Sequence, residues 1–214
     1  ILTDSLSQIR FNSNENITDI TYNEDSTQVV IFTSGTTGTP KACRLTYKNI
    51  YQNTLQWNKI LKFNDNDIFL NHMPIIHVSG LCIFFRALYY NFKMILDEFN
   101  PDSYLNYIQD NKITLVSMVP NMLQCTIDNA SLVNIKNNLR AMIISGAKIS
   151  SKNFDIITKY QIPAYIAYGM SETTSGIAGF WYNNNKPKYY IPHRHTHINL
   201  YESKIKITGD TVMK

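Results

Sequence analysis

The stretch IFTSGTTGTPK, residues 31–41, directly follows the residues QVV and decides how the chain is interpreted. The run QVVIF has the composition of a buried strand. The loop behind it holds more glycine, proline and hydroxyl residues than a simple turn needs, and it ends in Lys41. This combination suits a triphosphate, because glycine lets the backbone approach the phosphates while N–H groups, hydroxyls and the lysine ammonium bind them.

The loop differs from a Walker A motif. Pro40 precedes Lys41 and Ala42 follows it, whereas that motif ends in Gly-Lys-Ser or Gly-Lys-Thr. A threonine-rich surface loop without a ligand is the alternative that composition alone leaves open.

The composition is that of a globular protein. Its 214 residues and hydrophobic fraction of 44% allow one large domain or two small ones. The net charge of +4 comes from interspersed basic and acidic residues, which gives no reason to expect a nucleic-acid partner. Cys43, Cys82 and Cys125 lie far apart in sequence, which favours reduced thiols over a disulfide framework or a zinc site.

The apolar runs and the two ends of the chain give further expectations. No run approaches the ~20 apolar residues of a membrane helix, and no signal peptide opens the chain. We therefore expect a cytoplasmic protein without membrane insertion. The chain has no initiator methionine and stops inside an apolar pattern at VMK, so we expect it to be a fragment of a longer protein.

Runs with strand character alternate along the chain with helical patterns of about 10–15 residues. This alternation indicates βαβ units, hence an α/β fold with a mostly parallel sheet flanked by helices. Ligands of such sheets bind at the carboxyl ends of the strands. Three predicted strands lead into loops rich in small or charged residues, namely TSGTTGTPK, SGAK and YGMSET. Their recurrence predicts a single site.

These loops also carry a family resemblance. TSGTTGTPK resembles the phosphate loop of the acyl-adenylate-forming (AMP-binding) superfamily, which includes acyl-CoA synthetases, luciferases and peptide-synthetase adenylation domains. MPIIHVSG (73–80), IISGAKIS (143–150) and AYGMSET (167–173) resemble three further motifs of that family, in the family's order. The resemblance covers about residues 25–214 and implies a fragment of the family's large N-terminal domain.

The resemblance implies three regions. Residues 1–24 would be the tail of a preceding region or a linker. Residues 25–179 would form the α/β core that binds ATP and the acyl group. Residues 180–214, which contain the alternating stretches HINLY and KIKIT, would begin a small β element that is truncated.

Matching each motif of this chain to the corresponding motif of the family implies roles for particular residues. The residues implied in ATP binding are Thr33, Ser34, Gly35, Thr36, Thr37, Gly38, Lys41, Gly146, Ala147, Lys148, Tyr168, Gly169 and Ser171. Glu172 would hold the Mg²⁺ that bridges the phosphates, which agrees with the preference of a hard cation for carboxylate oxygen. The catalytic residues implied are Lys41, His77 and Glu172. Taken alone, Tyr168 could equally be a core aromatic residue and Glu172 a solvated carboxylate.

The chain departs from the family pattern at three places. Ser171 stands where the family usually has threonine, which keeps the hydroxyl. PHRHTHINL stands where the family often has a G-x-x-G-x-P turn, which puts the local loop geometry in doubt. The TGD of residues 208–210 has the wrong surroundings for the family's ribose-binding TGD, so Asp210 is not assigned to the site.

The reaction that the resemblance implies is the ATP-dependent joining of a carboxylic acid to coenzyme A, through an acyl-adenylate. HVSGL (77–81) resembles the H-x-S-G-L of the o-succinylbenzoate–CoA ligases of menaquinone biosynthesis, which implies that acid as substrate. A medium-chain or aryl acyl-CoA synthetase is the nearest alternative. A nucleotide-binding module that has lost catalysis is an alternative of another class. The sequence leaves a homodimer open.

The substrate-binding residues implied are His77, Ser79, Gly80 and Arg86. o-Succinylbenzoate has a second carboxylate, on its ring, and burying that group unpaired is costly. Arg86 is the favoured partner because its neighbours, IFFRALYY, are apolar. The alternatives are that Arg86 reaches solvent, pairs with a nearby acid, or gives way to His193, Arg194 or His195. For His77 the alternative is a loop histidine that caps a helix.

Overall fold

A seven-stranded sheet forms the centre of the computed structural model, which describes residues 23–33, 39–127, 138–184 and 189–213. The strands in this part of the chain are β1 (Thr27–Thr33), β2 (Lys41–Thr46), β3 (Ile68–Asn71), β4 (Lys93–Leu96), β5 (Leu115–Met118), β6 (Ala141–Ile144), β7 (Ala164–Met170), β8 (Ser175–Trp181), β9 (Ile191–Pro192), β10 (Thr196–Tyr201) and β11 (Lys204–Gly209). The α-helices are α1 (Tyr47–Leu61), α2 (Val78–Tyr90), α3 (Tyr104–Asp110), α4 (Pro120–Ile127) and α5 (Ser151–Lys159).

The central sheet has the order β4-β3-β5-β6-β7-β8-β9. The pairings from β4 to β7 are all parallel, and β8 and β9 then add two antiparallel pairings at one edge. The expected α/β fold with a mostly parallel sheet is confirmed. Every residue of β5 and β6 is buried, since helices cover both faces of the sheet.

Two helical layers enclose the sheet. One face packs against α3, α4 and α5 through a cluster that includes Ile108, Leu123 and Ile157. The other face packs against α1 and α2 through Trp57 and Ile83, among others. The chain is therefore a three-layer α/β/α arrangement.

The first two strands stand apart from this sheet. β1 and β2 pair only with each other among the described strands, as an antiparallel hairpin with Thr33 opposite Lys41. Ile31 and Leu45 pack the hairpin onto α1 and α2. We did not predict β2 from the sequence, because its residues KACRLT directly follow the glycine-rich loop and alternate weakly.

The C-terminal part also differs in detail from the expectation. The boundary predicted after residue 179 falls inside β8, whose residues SGIAGFW continue the central sheet. From the sequence we interpreted the first residues of β8 as part of a loop, because they are serine and glycine. The stretches HINLY and KIKIT form β10 and β11, a separate antiparallel hairpin.

No helix in the described ranges combines the length and apolar character that crossing a membrane requires.

Candidate active site

A cavity of about 500 Å³ opens at the carboxyl ends of the parallel strands. Its walls come from the end of β1, the start of α2, the loop after β6, the end of β7 and the start of β8. The predicted site residues among its lining are Thr33, His77, Ser79, Gly146, Gly169, Ser171 and Glu172. The structure thus brings together residues of all four motifs at the edge of the sheet where a ligand was expected.

Sequence reasoning missed five residues of the lining, which are Val78, Ser145, Met170, Ser175 and Gly176. The first three lie inside the quoted motifs, directly beside predicted residues, but only some residues of each motif were assigned to the site. Ser175 and Gly176 begin β8, which was read as a loop. The one sequence signal for these two residues was the run TTSG after YGMSE, since a row of small polar residues suits a tight reversal between two strands.

Part of the predicted phosphate loop, Ser34, Gly35, Thr36, Thr37 and Gly38, lies outside the described residues. Both flanks of this loop are described. Thr33 lines the cavity, and the exposed Lys41 lies opposite it in the β1–β2 hairpin. The N-terminal flank of the loop therefore lies at the cavity, and its C-terminal flank pairs with Thr33 in the hairpin.

Several predicted residues lie near the cavity without lining it. Ala147 and Lys148 are exposed in the loop after β6. Tyr168 is half-buried, with its ring edge-on to Tyr190 at a centroid distance of 6.0 Å. Gly80 is buried in α2, where an added Cβ would lie 2.4 Å from the carbonyl oxygen of Met73. A side chain at this position would thus displace the MPIIHVSG loop.

Glu172 lies in a tight turn that reverses the chain between β7 and β8. Residues Ser171–Thr173 form a single 3-10 turn, and Thr174 and Ser175 follow with positive φ angles of 56° and 96°. The Thr173 hydroxyl lies 3.0 Å from both the N–H and the carbonyl oxygen of Met170. The turn, Ser171–Ser175, is therefore held by its own hydrogen bonds in a conformation that places Glu172 at the cavity.

The side chain of Glu172 has no charged partner among the described residues. Glu172 is half-buried and forms no ion pair with any described residue. Burial, and then the negative charge of Glu172, raise the pKa of the Cys43 thiol to about 11. Cys43 is therefore an inert, protonated core residue beside the carboxylate.

The donor set fits a magnesium ion shared with phosphates. The described residues contain no cluster of three or more histidine, cysteine or acidic side chains that could hold a metal by themselves. Mg²⁺ usually binds through one or two carboxylates together with substrate phosphates and water. Glu172 at the cavity wall is a carboxylate of the kind that such a site uses.

His77 is the N-cap residue of α2 and is exposed at the cavity. Its side chain makes no capping hydrogen bond within the described part of the chain. His77 thus occupies the capping position, but its side chain does not cap the helix as the alternative interpretation required. The ring is free to meet a ligand.

Arg86 is buried behind the cavity wall, with 2% of its surface exposed. Its Nη2 donates to Asn53 Oδ1 at 2.7 Å and lies 3.5 Å from the hydroxyl of Ser175, which lines the cavity. The guanidinium lies 4.8 Å from the centre of the Trp57 ring. Burial lowers the pKa of Arg86 to about 10, so the side chain stays charged at neutral pH. Arg86 thus neither reaches solvent nor pairs with an acid among the described residues.

The weaker candidates for the second carboxylate lie elsewhere. His193 and Arg194 line another cavity, of about 630 Å³, beside Lys59 and Trp181. Trp181 ends β8, whereas Ser175 at the other end of the same strand lines the candidate site. His195 is exposed. None of the three lines the candidate site. His193 nevertheless lies near Arg86, since burial and then the charge of Arg86 lower the pKa of this histidine.

Known proteins resemble the chain over most of its length. A family model described as AMP-binding enzyme matches residues 4–206. The curated 2-succinylbenzoate–CoA ligase of Staphylococcus aureus (strain Newman) is 34% identical over 164 residues, which are 76% of this chain and 33% of that protein. The chain spans about a third of the length of the curated relatives that it matches.

Two solved structures extend the likeness. The o-succinylbenzoate–coenzyme A synthetase of Bacillus subtilis in complex with ATP and magnesium ion is similar with a TM-score of 0.77 at 25% identity, covering 90% of this chain and 43% of that one. A putative long-chain-fatty-acid CoA ligase from Rhodopseudomonas palustris has a TM-score of 0.79 at 17% identity, covering 91% of this chain and 52% of the other. The second likeness concerns the fold alone.

Proposed function

Since the chain belongs to the family of AMP-binding enzymes, we propose that it is the nucleotide-binding part of an ATP-dependent acid–CoA ligase. One observation carries the proposal. Residues from all four motifs, with a free carboxylate at Glu172, line one cavity at the carboxyl ends of the parallel strands. A carboxylate of the acid would attack the α-phosphorus of ATP and release pyrophosphate. The thiol of coenzyme A would then take the acyl group and release AMP.

The chain's own groups act by binding and positioning. Lys41 and the loop before it would hold the β- and γ-phosphates, and the Ser171 hydroxyl would donate to the α-phosphate. Mg²⁺, when bound, would neutralise charge on the phosphate oxygens. Glu172 would fix that charge relative to the α-phosphorus, and His77 would lie beside the attacking carboxylate. Holding the reactants in this way supplies much of the catalysis, because the reaction needs no side-chain nucleophile.

We propose o-succinylbenzoate as the acid. The S. aureus relative carries that substrate in its name, and so does the B. subtilis synthetase. Buried positive charge at Arg86, one hydrogen-bonding group away from the cavity, suits an acid with a second carboxylate. A medium-chain fatty acid has no group that would use such a charge.

The protein expressed from its complete reading frame tests both proposals. We expect the wild type to release pyrophosphate when o-succinylbenzoate is present. In Glu172→Gln we expect the rate of this release to fall by about 10²-fold or more, because the magnesium ion that would neutralise the phosphates loses its carboxylate ligand. Glu202→Gln is the matched control, since Glu202 is exposed in the β10–β11 turn. Full activity in Glu172→Gln would refute the site.

The choice of acid decides between the alternatives. A preference for octanoate or benzoate over o-succinylbenzoate would favour a medium-chain or aryl acyl-CoA synthetase. ATP binding without pyrophosphate release on any acid would indicate a non-catalytic module.

Location, assembly and completeness follow from the same proposal. ATP and coenzyme A are substrates of the cytoplasm, where we place the protein. A homodimer stays a prediction, which sedimentation equilibrium would check. We also propose that the 214-residue chain alone makes no acyl-CoA, because its curated relatives are more than twice as long.

A further inference from the structure

Asn49 uses every polar atom of its side chain. It is the third residue of α1, where its Oδ1 accepts from the N–H of Thr46 at 3.0 Å, while its own N–H donates to the Thr46 hydroxyl at 3.1 Å. Its Nδ2 donates to the carbonyl oxygens of Asp210, at 2.7 Å, and Val212, at 3.0 Å. Only 4% of Asn49 is exposed. One side chain therefore joins the end of β2 and the start of α1 to a distant part of the chain.

The segment that Asn49 binds, residues 210–213, also contacts the Glu172 turn. The Thr174 hydroxyl donates to the Thr211 carbonyl at 2.7 Å, and the Met213 N–H donates to the Glu172 carbonyl at 2.8 Å. Thr174 and Thr211 are fully buried. An ion pair of 3.6 Å between Lys48 and Asp210 lies at the surface, where such pairs contribute little. Residues 210–213 are thus held on one side by α1 and on the other by the turn.

We propose that Asn49 is a positioning residue of the ATP site, an inference that rests on the proposed function. β2 begins at Lys41, directly behind the glycine-rich loop, and ends at Thr46, which Asn49 binds. Asn49 therefore adds a connection, through residues 210–213, between the β1–β2 hairpin and the Glu172 turn, which Cys43 of β2 also approaches directly. A magnesium ion shared between loop-bound phosphates and Glu172 requires these two elements to keep a fixed separation.

The variant Asn49→Asp isolates the connection. Aspartate keeps the oxygen that accepts from Thr46, and an acidic residue suits the first turn of a helix. It removes the two N–H donors and places a carboxylate against the carbonyl oxygens of Asp210 and Val212. The measurement is the Mg²⁺ concentration that half-saturates ATP binding to the protein from the complete reading frame, by calorimetry. We expect this concentration to rise about tenfold or more, as for other residues that orient a metal ligand.

Asn153→Asp is the matched control. Asn153 is the third residue of α5, shares a capping box with Ser150, and donates through Nδ2 to the Pro120 carbonyl at 2.8 Å. It is fully buried. This variant loses a buried amide donor of the same kind without touching the hairpin or the Glu172 turn. We expect a lowered melting temperature and an unchanged Mg²⁺ requirement.

Thr174→Val breaks the hydrogen bond that holds residues 210–213 to the Glu172 turn. This variant is the alternative test if Asn49→Asp does not fold. It removes the hydroxyl that binds Thr211 and keeps the shape of the side chain. We expect the same rise in the Mg²⁺ requirement. Folded variants that bind Mg·ATP like the wild type, or an equal shift in Asn153→Asp, would overturn the inference. Wild-type protein that binds no ATP at any Mg²⁺ concentration would instead refute the proposed function.

Discussion

At the scale of single residues, Arg86 is the least expected feature of the site. A buried cation without a carboxylate beside it in the described structure is unfavourable unless other groups stabilise it. The Asn53 oxygen and the face of Trp57 do so in part. The apolar surroundings in the sequence predicted a functional charge, but its place behind Ser175 depends on how α1, α2 and β8 pack. No local pattern encodes that packing.

The prediction at this scale concerns Arg86→Met, which keeps the length of the side chain and removes its charge. We expect the KM for o-succinylbenzoate to rise about tenfold or more, because the buried positive charge behind Ser175 that would attract the ring carboxylate is lost. β-Benzoylpropionate, which lacks that carboxylate, is the control substrate and should show the same KM with both proteins. An equal rise for the two acids would mean that Arg86 only supports the wall around Ser175.

At the scale of elements, the strand-helix alternation was predictable and β8 was not. Parallel strands buried on both faces form continuous apolar runs, which stand out in a sequence. β8 has Gly176 and Gly179 instead, where strand propensity is low. Both positions are crowded: an added Cβ would lie 2.6 Å from Trp57 at residue 176 and 2.5 Å from the Tyr165 ring at residue 179. The glycines make room for aromatic rings on neighbouring elements, which a reading of local sequence cannot detect.

The same crowding predicts the effect of Gly176→Ala. The new methyl group would meet Cζ2 of Trp57, in the buried layer between β8 and α1. We expect the free energy of unfolding to fall by about 1–3 kcal/mol, as for other overpacked cores. Chemical denaturation measures this change. Adding Trp57→Phe, which removes the colliding part of the ring, should recover part of the loss relative to Trp57→Phe alone. A double variant in which the two losses simply add would contradict the explanation.

At the scale of the whole molecule, the half-buried His72 and the buried His193 link stability to pH. Burial lowers the pKa of His72 to about 4, and burial together with the charge of Arg86 lowers the pKa of His193 to about 4. In the unfolded chain their pKa is 6.5. The unfolded state therefore binds more protons between these values, so the free energy of unfolding falls as the pH falls from about 6.5 to about 4.

Within that window, each histidine should lower the free energy of unfolding by up to about 1.4 kcal/mol for each unit by which the pH falls. The measurement is the free energy of unfolding as a function of pH, for the wild type and for His193→Gln. The glutamine amide can keep a hydrogen bond to the Tyr165 hydroxyl, which lies 2.9 Å from His193 Nε2. We expect a shallower pH dependence in the variant. Parallel curves for the two proteins would show that His193 is protonated equally in both states.

The hydrogen bond between Asn49 and Asp210 joins residues that are 161 positions apart in the sequence. This separation determines when during folding and synthesis the site can be completed. Closing so long a loop carries a large entropic penalty and belongs to the slow part of folding. A chain made on a ribosome emerges from its N-terminal end, so the β1–β2 hairpin exists long before residues 210–213 do. The Glu172 turn gains its hydrogen bond from Met213 only after residue 213 has been synthesised. A nascent chain halted before that residue would lack the connection through residues 210–213, and we expect it to bind magnesium and nucleotide less tightly than a chain that contains this segment.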